Sequence, residues 1–468
     1  MIMRRLALVT LWIVVGTSAS FARPQLLETA TDIFRELIAI NTAEPDGNTT
    51  KASELLASRL KHAGVAADDV KVLGPDDRHG NLVARLRGSG KGRPVLFLAH
   101  LDVVPASRDD WSVDPFVLTE KDGYYYGRGT TDDKQFAAIW VAAFITAKRS
   151  DFVPDRDLIL ALTGGEEGGA GDLNGVTFLL SHHRTLVDAE YVINGDAGGG
   201  SIQNGRNVAF GVQAAEKRYM DVTLEVTSPG GHSSLPVKDN AIYRLARALG
   251  RVDELAFPIR LNDVTRLYFE KRGAIDGGEI GDAMRALASG KADAAAIERI
   301  TEDARNNSMM RTTCVATMVT SGHAPNALPQ RAKANVNCRL LPDDLPEAVL
   351  AALKQAIADP GVSVTQVGTL KPVPPTQALH PGAMSVIGAA AESVWPGVPL
   401  VPLMETGATD GVAFRALGIP AFGVNHFAPD DDMRAHGRDE RIGVREFEDA
   451  ARFGYAAVRI AGGGTPAR

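Results

Sequence analysis

Pro94-Val95-Leu96-Phe97-Leu98-Ala99-His100-Leu101-Asp102 is the stretch on which the fold turns. Its first six residues form a nearly continuous apolar run, as expected for a strand covered on both faces. The run ends in a histidine and an aspartate two positions apart, so both side chains can point the same way. Asn81 to Leu86, Leu158 to Leu162 and Tyr191 to Ile193 read as further strands, and Gln135 to Ala147 as a helix. Short apolar strands alternating with helical stretches argue for an α/β domain with a largely parallel sheet. In such sheets ligands gather at the carboxyl ends of the strands. His100, the pair Glu166-Glu167, and Asp196 each follow one of these strands, so three loops are expected to converge on one site.

A chain of 468 residues exceeds what one hydrophobic core usually holds, so two domains are expected. The pattern changes near residue 216. Tyr219 to Val226 alternates like a half-exposed strand, and Ala241 to Leu249 reads as a helix. Thr312 to Thr320 and Arg331 to Leu340 are strands, Pro346 to Ala358 a helix, and Val362 to Val367 a strand. That β-α-β-β-α-β order is the split βαβ arrangement of a ferredoxin-like α+β unit. Residues 252–310 form an extra, mostly helical and charged insert within it. Helical patterning returns at 384–394, and strands at 399–403 and 420–424. The division that follows is a catalytic domain in two pieces, 23–215 and 371–468, with a smaller domain at 216–370 between them.

Fifty basic and 57 acidic side chains leave a formal charge of −7, with no basic stripe of the kind a nucleic-acid partner requires. Arg4 and Arg5, the apolar run Leu6 to Val15, and Ser20-Phe21-Ala22 have the order of a cleavable leader over residues 1–22. The apolar run is too short for a membrane span, so an exported protein, periplasmic or secreted and without a stable membrane anchor, is expected. The only cysteines are Cys314 and Cys338. They could pair in an oxidising compartment or remain buried thiols in strand-like runs.

The acid and histidine clusters carry the chemistry. A histidine ligand usually gives its second ring N–H to a carboxylate, and Asp102 is placed to serve His100 in that way. Gly127-Arg128-Gly129-Thr130-Thr131-Asp132-Asp133-Lys134 delivers two carboxylates just before a helix; Asp133 suits an N-cap and Asp132 a metal. Gly164-Gly165-Glu166-Glu167-Gly168-Gly169 sets adjacent carboxylates between glycine pairs. Like charges this close raise one another's pKa unless a cation neutralises them. One carboxylate on a metal, and one acting as general base on a water the metal acidifies, would resolve the repulsion. Taken singly, each cluster also suits a solvated surface turn. Together they offer two imidazoles and enough carboxylates for two divalent ions, with one carboxylate left over.

With the motifs His100-Leu101-Asp102-Val103-Val104-Pro105, Gly127 to Lys134, Glu166-Glu167, Gly230-Gly231-His232-Ser233-Ser234 and His436-Gly437-Arg438-Asp439-Glu440, the chain resembles the M20 family of metallopeptidases. Judging by the segment from His426 to Ile442, it looks like the carboxypeptidase S and aminoacylase branch, next to glutamate carboxypeptidases. The resemblance implies a di-zinc catalytic domain and an inserted lid and dimerisation domain, with Co2+ or Mn2+ as substitutes for Zn2+. It implies that His100 and Asp196 bind one ion, Glu167 and His436 the other, and that Asp132 bridges them. Asp102 would support His100. Glu166 would activate the attacking water and return the proton to the leaving amine. His232 would reach the active site of a partner subunit in a homodimer and stabilise the oxyanion. Asn326, Arg339 and Gly407 would hold the substrate, and the Asp132–Asp133 peptide would be cis. Asp at 196, where desuccinylases carry Glu, weighs against that branch.

The implied activity is cleavage of the amide bond of a small N-acyl amino acid or dipeptide with a free carboxylate. A binding protein that kept the fold and lost catalysis, a dipeptidase or aminopeptidase specificity, and a metal-dependent esterase or phosphodiesterase are the alternatives.

Overall fold

The structure is a computed structural model that describes residues 18–368, 376–430, 432 and 434–466. Arg4, Arg5 and the run Leu6 to Val15 of the expected leader lie outside the described residues, as does the expected boundary at 370–371.

The first half runs through α1 (Ser18–Ile38), α2 (Thr49–His62), β1 (Val70–Leu73), β2 (Asn81–Leu86) and β3 (Val95–His100). It continues through a hairpin, β4 (Thr119–Lys121) and β5 (Tyr124–Tyr126), then α3 (Lys134–Arg149) and β6 (Leu158–Thr163). Two short helices, α4 (Gly175–His182) and α5 (Arg184–Val187), lead to β7 (Tyr191–Asn194), β8 (Gly199–Gln203) and β9 (Arg206–Glu216). The middle of the chain holds β10 (Arg218–Thr227), β11 (Gly231–His232) and α6 (Ala241–Asp253). Next come the helices of the insert, α7 (Asp263–Asp276), α8 (Gly278–Ala288), α9 (Ala294–Thr301) and α10 (Ala304–Met310). They are followed by β12 (Thr313–Ser321), β13 (Ala327–Leu328), β14 (Arg331–Leu340), α11 (Pro346–Ile357) and β15 (Ser363–Gln366). The last part holds α12 (Pro381–Val394), β16 (Leu400–Glu405), α13 (Gly411–Ala416), β17 (Ala421–Gly423), β18 (Phe427–Pro429), β19 (Arg441–Gly443) and α14 (Val444–Ala461).

Ten strands form the large sheet in the order β1-β2-β6-β3-β7-β17-β9-β8-β18, with β16 also paired to β9. Its centre, β6-β3-β7-β17, is parallel. Every residue of β3 and β6 is buried, which is why both read as unbroken apolar runs. On one side α3 lies between the sheet and helices α1 and α14, so apolar residues cover nearly its whole circumference. Trp140 of α3 fills this layer: its ring sits 4.9 Å from that of Phe97, and its indole N–H donates to the Leu98 carbonyl at 3.0 Å. This packing fixes β3, and hence His100, against the helix that begins at Lys134.

The second sheet has the order β12-β14-β10-β15 and is antiparallel throughout. Together with α6 and α11 it is the ferredoxin-like unit. Met220, Val222, Leu224, Ala334, Val336 and Leu340 line the buried face, as strand alternation requires. The insert behaves differently from its place in the sequence. It lies within 216–370, yet Val264, Phe269, Met284, Leu287, Ile300 and Met309 pack into the large core, and α7 lies against β16. Apolar periodicity shows that a helix must bury a face, but not which neighbour covers it.

Cys314 and Cys338 face each other across β12 and β14 and form a disulfide, which resolves the open alternative of buried thiols. Their separation of 24 residues gives about 3 kcal/mol on a chain-entropy argument. Replacing both by alanine is expected to lower the unfolding free energy from urea titration in non-reducing buffer by that amount, and an unchanged free energy would show the bond carries no stability. Among the described residues, no helix is long and apolar enough to cross a membrane.

Candidate metal centre

Four of the expected residues arrive at strand ends. His100 is the last residue of β3, Glu166 and Glu167 follow β6, and Asp196 follows β7. Asp132 comes from the loop before α3, and His436 from the loop before β19. The structure brings the donor atoms into two groups that share one residue. His100, Asp132 and Asp196 lie within 4.8 Å of one another, and so do Asp132, Glu167 and His436.

Asp132 joins the two groups by using one oxygen for each imidazole. Its Oδ1 is 2.8 Å from His100 Nε2 and its Oδ2 is 3.1 Å from His436 Nε2. His436 Nε2 also lies 3.0 Å from Glu167 Oε1. His100 Nδ1 lies 3.0 Å from the backbone carbonyl of Asp102. A carbonyl only accepts, so Nδ1 carries the proton and Nε2 is the nitrogen that faces the acids.

Two expectations need correction. The Asp102 carboxylate does not make the short contact to His100, since its Oδ1 is 3.6 Å from Nδ1. It accepts instead from the backbone N–H groups of Glu166 at 3.2 Å and Glu167 at 3.0 Å, and so fixes the acidic loop. The residue still orients His100, through its main chain. Asp133 stands at the N-cap position of α3 but makes no side-chain cap; its Oδ2 accepts from the His100 backbone N–H at 3.2 Å. The peptide between Asp132 and Asp133 is cis.

The protonation pattern is that of an acid cluster in want of cations. Burial pushes Asp196 and Glu166 well above the usual carboxylate range, and neighbouring carboxylates add to it. Burial also acts to raise Asp132, but His100 and His436 outweigh it and hold Asp132 well below that range. His436 is pushed up to about 10 by Asp132 and Glu167. Burial works against a charge on His100, yet Asp102 and Asp132 raise it well above an ordinary histidine. Two imidazoles and three carboxylates with no thiolate form a donor set that suits zinc, cobalt or manganese. The carboxylates of Asp196 and Glu166 accept no hydrogen bond from any described residue, so nothing in the protein competes for them.

Lys134 lies under this loop. Its Nζ donates to the carbonyls of Leu37 at 2.9 Å and Ile40 at 2.7 Å, tying the end of α1 to the site, and burial lowers it to about 7.

The remaining expected residues are not brought into contact with the cluster. His232 is exposed on β11, opposite Ala327 of β13, and its Nδ1 is 2.7 Å from Ser234 Oγ. Asn326, also exposed, accepts from the Ser233 N–H through its backbone carbonyl at 3.0 Å. Arg339 lies on the open face of the smaller sheet, over the Tyr219 ring at 4.7 Å, with Nε donating to Asn337. Gly407 is exposed in a loop anchored where the Thr409 N–H donates to the buried Glu216 at 3.0 Å.

Two acids without an expected role are structural to the site. Asp410 is buried and accepts from Thr163 Oγ1 and Asn174 Nδ2, both at 2.9 Å, which pins the loop after β16 to the Glu166 loop. Glu440, the last residue of the His436 motif, is fully buried against the Asp132 loop. The motif itself was the only sequence signal for it.

The profile of Peptidase family M20/M25/M40 matches residues 96–459. The N-fatty-acyl-amino acid synthase/hydrolase PM20D1 of Homo sapiens is 29% identical over 383 residues, spanning 79% of this chain and 74% of that one. The solved M20 metallo-carboxypeptidase of Sulfolobus solfataricus covers 92% of this chain and 99% of its own, with a TM-score of 0.68 at 18% identity. Human carnosine dipeptidase 1 covers 95% and 99%, with a TM-score of 0.67 at 16% identity. At such identities these two likenesses bear on the fold, and both agree with a parallel-centred α/β domain. The family match over most of the chain, laid on a cluster that brings together five side chains able to hold metal, shows that the chain belongs to peptidase family M20/M25/M40 and hydrolyses amide bonds.

Proposed function

We propose that this protein is an exported two-metal amidohydrolase that releases the amino acid from small N-acyl amino acids with a free carboxylate. The observation that carries the reading is Asp132, which offers one oxygen to each of two three-donor groups. His100 and Asp196 would hold one ion, Glu167 and His436 the other, and Asp132 both. Two divalent ions there, zinc in the first instance, would acidify a water and polarise the substrate carbonyl.

The chain's own residues divide the remaining work. Glu166 stands outside both donor groups with its carboxyl free, so it can take a proton from the attacking water and return it to the leaving nitrogen. Arg339, held flat by Tyr219 and with no carboxylate within ion-pair distance among the described residues, suits bidentate capture of the substrate's carboxylate. His232 and Asn326, on exposed turns of the ferredoxin-like unit, would enter the site of a second subunit. The likeness to an N-fatty-acyl-amino acid synthase/hydrolase favours an acyl group over an aminoacyl group as the part released.

A hydrolysis panel tests the reading: N-acyl amino acids of short and long acyl chain, their C-terminal carboxamides, and dipeptides, each with zinc, cobalt or manganese. The free-carboxylate N-acyl compounds are expected to turn over best, and the carboxamides to lose at least about tenfold in kcat/KM through the unpaired Arg339. Equal rates on acid and carboxamide, or hydrolysis indifferent to metal, would overturn it.

A further inference from the structure

We propose that Glu440 is a positioning residue that sets the spacing between the Asp132 loop and the His436 loop, and thereby retains the second metal ion. The inference rests on the two-metal reading above. Asp132 comes from the first half of the chain and His436 from the last, and no covalent link fixes their 3.1 Å approach. Glu440 follows His436 by one turn of loop and is 0% exposed. Its Oε2 accepts from Arg128 Nη1 at 2.6 Å and the Gly129 N–H at 3.1 Å. Its Oε1 accepts from the Thr131 N–H at 2.7 Å and Thr131 Oγ1 at 2.9 Å. One carboxylate thus takes four donors from Arg128, Gly129 and Thr131, three of the four residues that lead into Asp132.

The grip is mutual. Arg128 Nη2 donates to the Gly437 carbonyl at 3.0 Å, and the guanidinium lies over the Trp111 ring at 5.1 Å. The Gly127 N–H donates to the Glu440 carbonyl at 3.1 Å. Gly129 has φ +92, and a Cβ there would come 2.9 Å from the Lys134 side chain, so glycine is what lets this N–H reach Glu440. His436 itself has φ 63, in the left-handed region that non-glycine residues seldom adopt without support from their surroundings. A buried Arg–Glu pair is weak evidence for stability, because desolvation offsets its attraction. What this pair secures is a fixed distance between two ligand loops. The ion shared by Asp132, Glu167 and His436 depends on that distance, whereas His100 and Asp196 stand on strand ends that Glu440 does not touch.

The test is metal retention by the zinc-loaded enzyme dialysed against graded chelator. Glu440→Gln keeps the shape and one acceptor oxygen but turns an amide NH2 toward donors. It is expected to release one ion per chain at chelator about 10- to 100-fold weaker than the native enzyme requires. The other ion should stay, and excess zinc should restore both occupancy and kcat. Thr131→Val, which removes one donor and no charge, should show the same selective loss to a smaller degree, and decides the matter if Glu440→Gln does not fold. A native threshold in the variant that folds, or simultaneous loss of both ions, overturns the proposal. Fewer than two ions in the native enzyme would overturn the two-metal reading and the proposal with it.

Discussion

Glu166→Gln is expected to lower kcat by about 100- to 10,000-fold, the range a positioned general acid-base supplies, while both ions stay bound and KM changes little. The case rests on what Glu166 does not do. It belongs to neither donor group, and its carboxyl accepts no hydrogen bond from a described residue, so the amide leaves no partner stranded. Its backbone N–H, the group that holds the loop on Asp102, is untouched by the change. Glu167→Gln, one residue along, should behave differently, because Glu167 Oε1 faces His436 and its loss releases an ion. The pH profile adds a sign. The carboxylate is the working form, and burial with the charges of Asp196, Asp410 and Glu167 raises its pKa above 4.5. Activity of the native enzyme should therefore fall as pH drops through that raised value, and the residual activity of Glu166→Gln should lack this limb. Near-normal turnover in a variant that retains both ions would sink the assignment.

The parts of this site that sequence reveals are those whose physics is local. A parallel strand buried on both faces must be apolar nearly throughout, so residues 94–99 and 158–162 announce themselves, and the sheet rule then says where their ends point. The ferredoxin-like order is equally legible, because β10 and β14 alternate cleanly between a buried and an open face. The split role of Asp102 is not, since choosing between its carboxylate and its carbonyl for His100 takes a difference of 3.6 against 3.0 Å. Glu440 is a stronger case. Nothing in a carboxylate reports that its four acceptor positions will be filled by a loop more than half the chain away. The insert at 252–310 shows helices but hides their partner, because α7 packs on β16, a strand that the chain supplies only later. The signal of helix α14 is as local as theirs, since Phe447, Ala450, Ala451, Phe453 and Gly454 recur at helical spacing and are all buried.

Removing the ions, or removing Asp132, is expected to abolish turnover altogether. Asp132 belongs to both donor groups, so Asp132→Ala should lose both ions where His436→Ala loses one. Stability should fall as well. An ion present at about 1,000 times its dissociation constant contributes about 4 kcal/mol to the folded state, so chelation should lower Tm in the native enzyme. In Asp132→Ala chelator should leave Tm unchanged. The same geometry makes binding proton-linked. With no ion present, Asp132 and Glu167 push His436 up to about 10, and His100 is raised well above its ordinary value. At neutral pH the His436 ring then carries a proton that a metal must displace, and the upward shift of His100 acts in the same direction. Each displaced proton costs about a tenfold loss of affinity for every pH unit below the group's raised pKa. Affinity should therefore climb with pH from about 6 to about 9, and uptake at neutral pH should release protons. Asp132 adds nothing to this count, because the same two imidazoles hold it ionised throughout. Titration calorimetry in two buffers of different ionisation enthalpy reads the number directly. An affinity flat across that range, with no proton released, would mean that the two imidazoles do not enter the coordination shell, and the two-ion reading would fall with them.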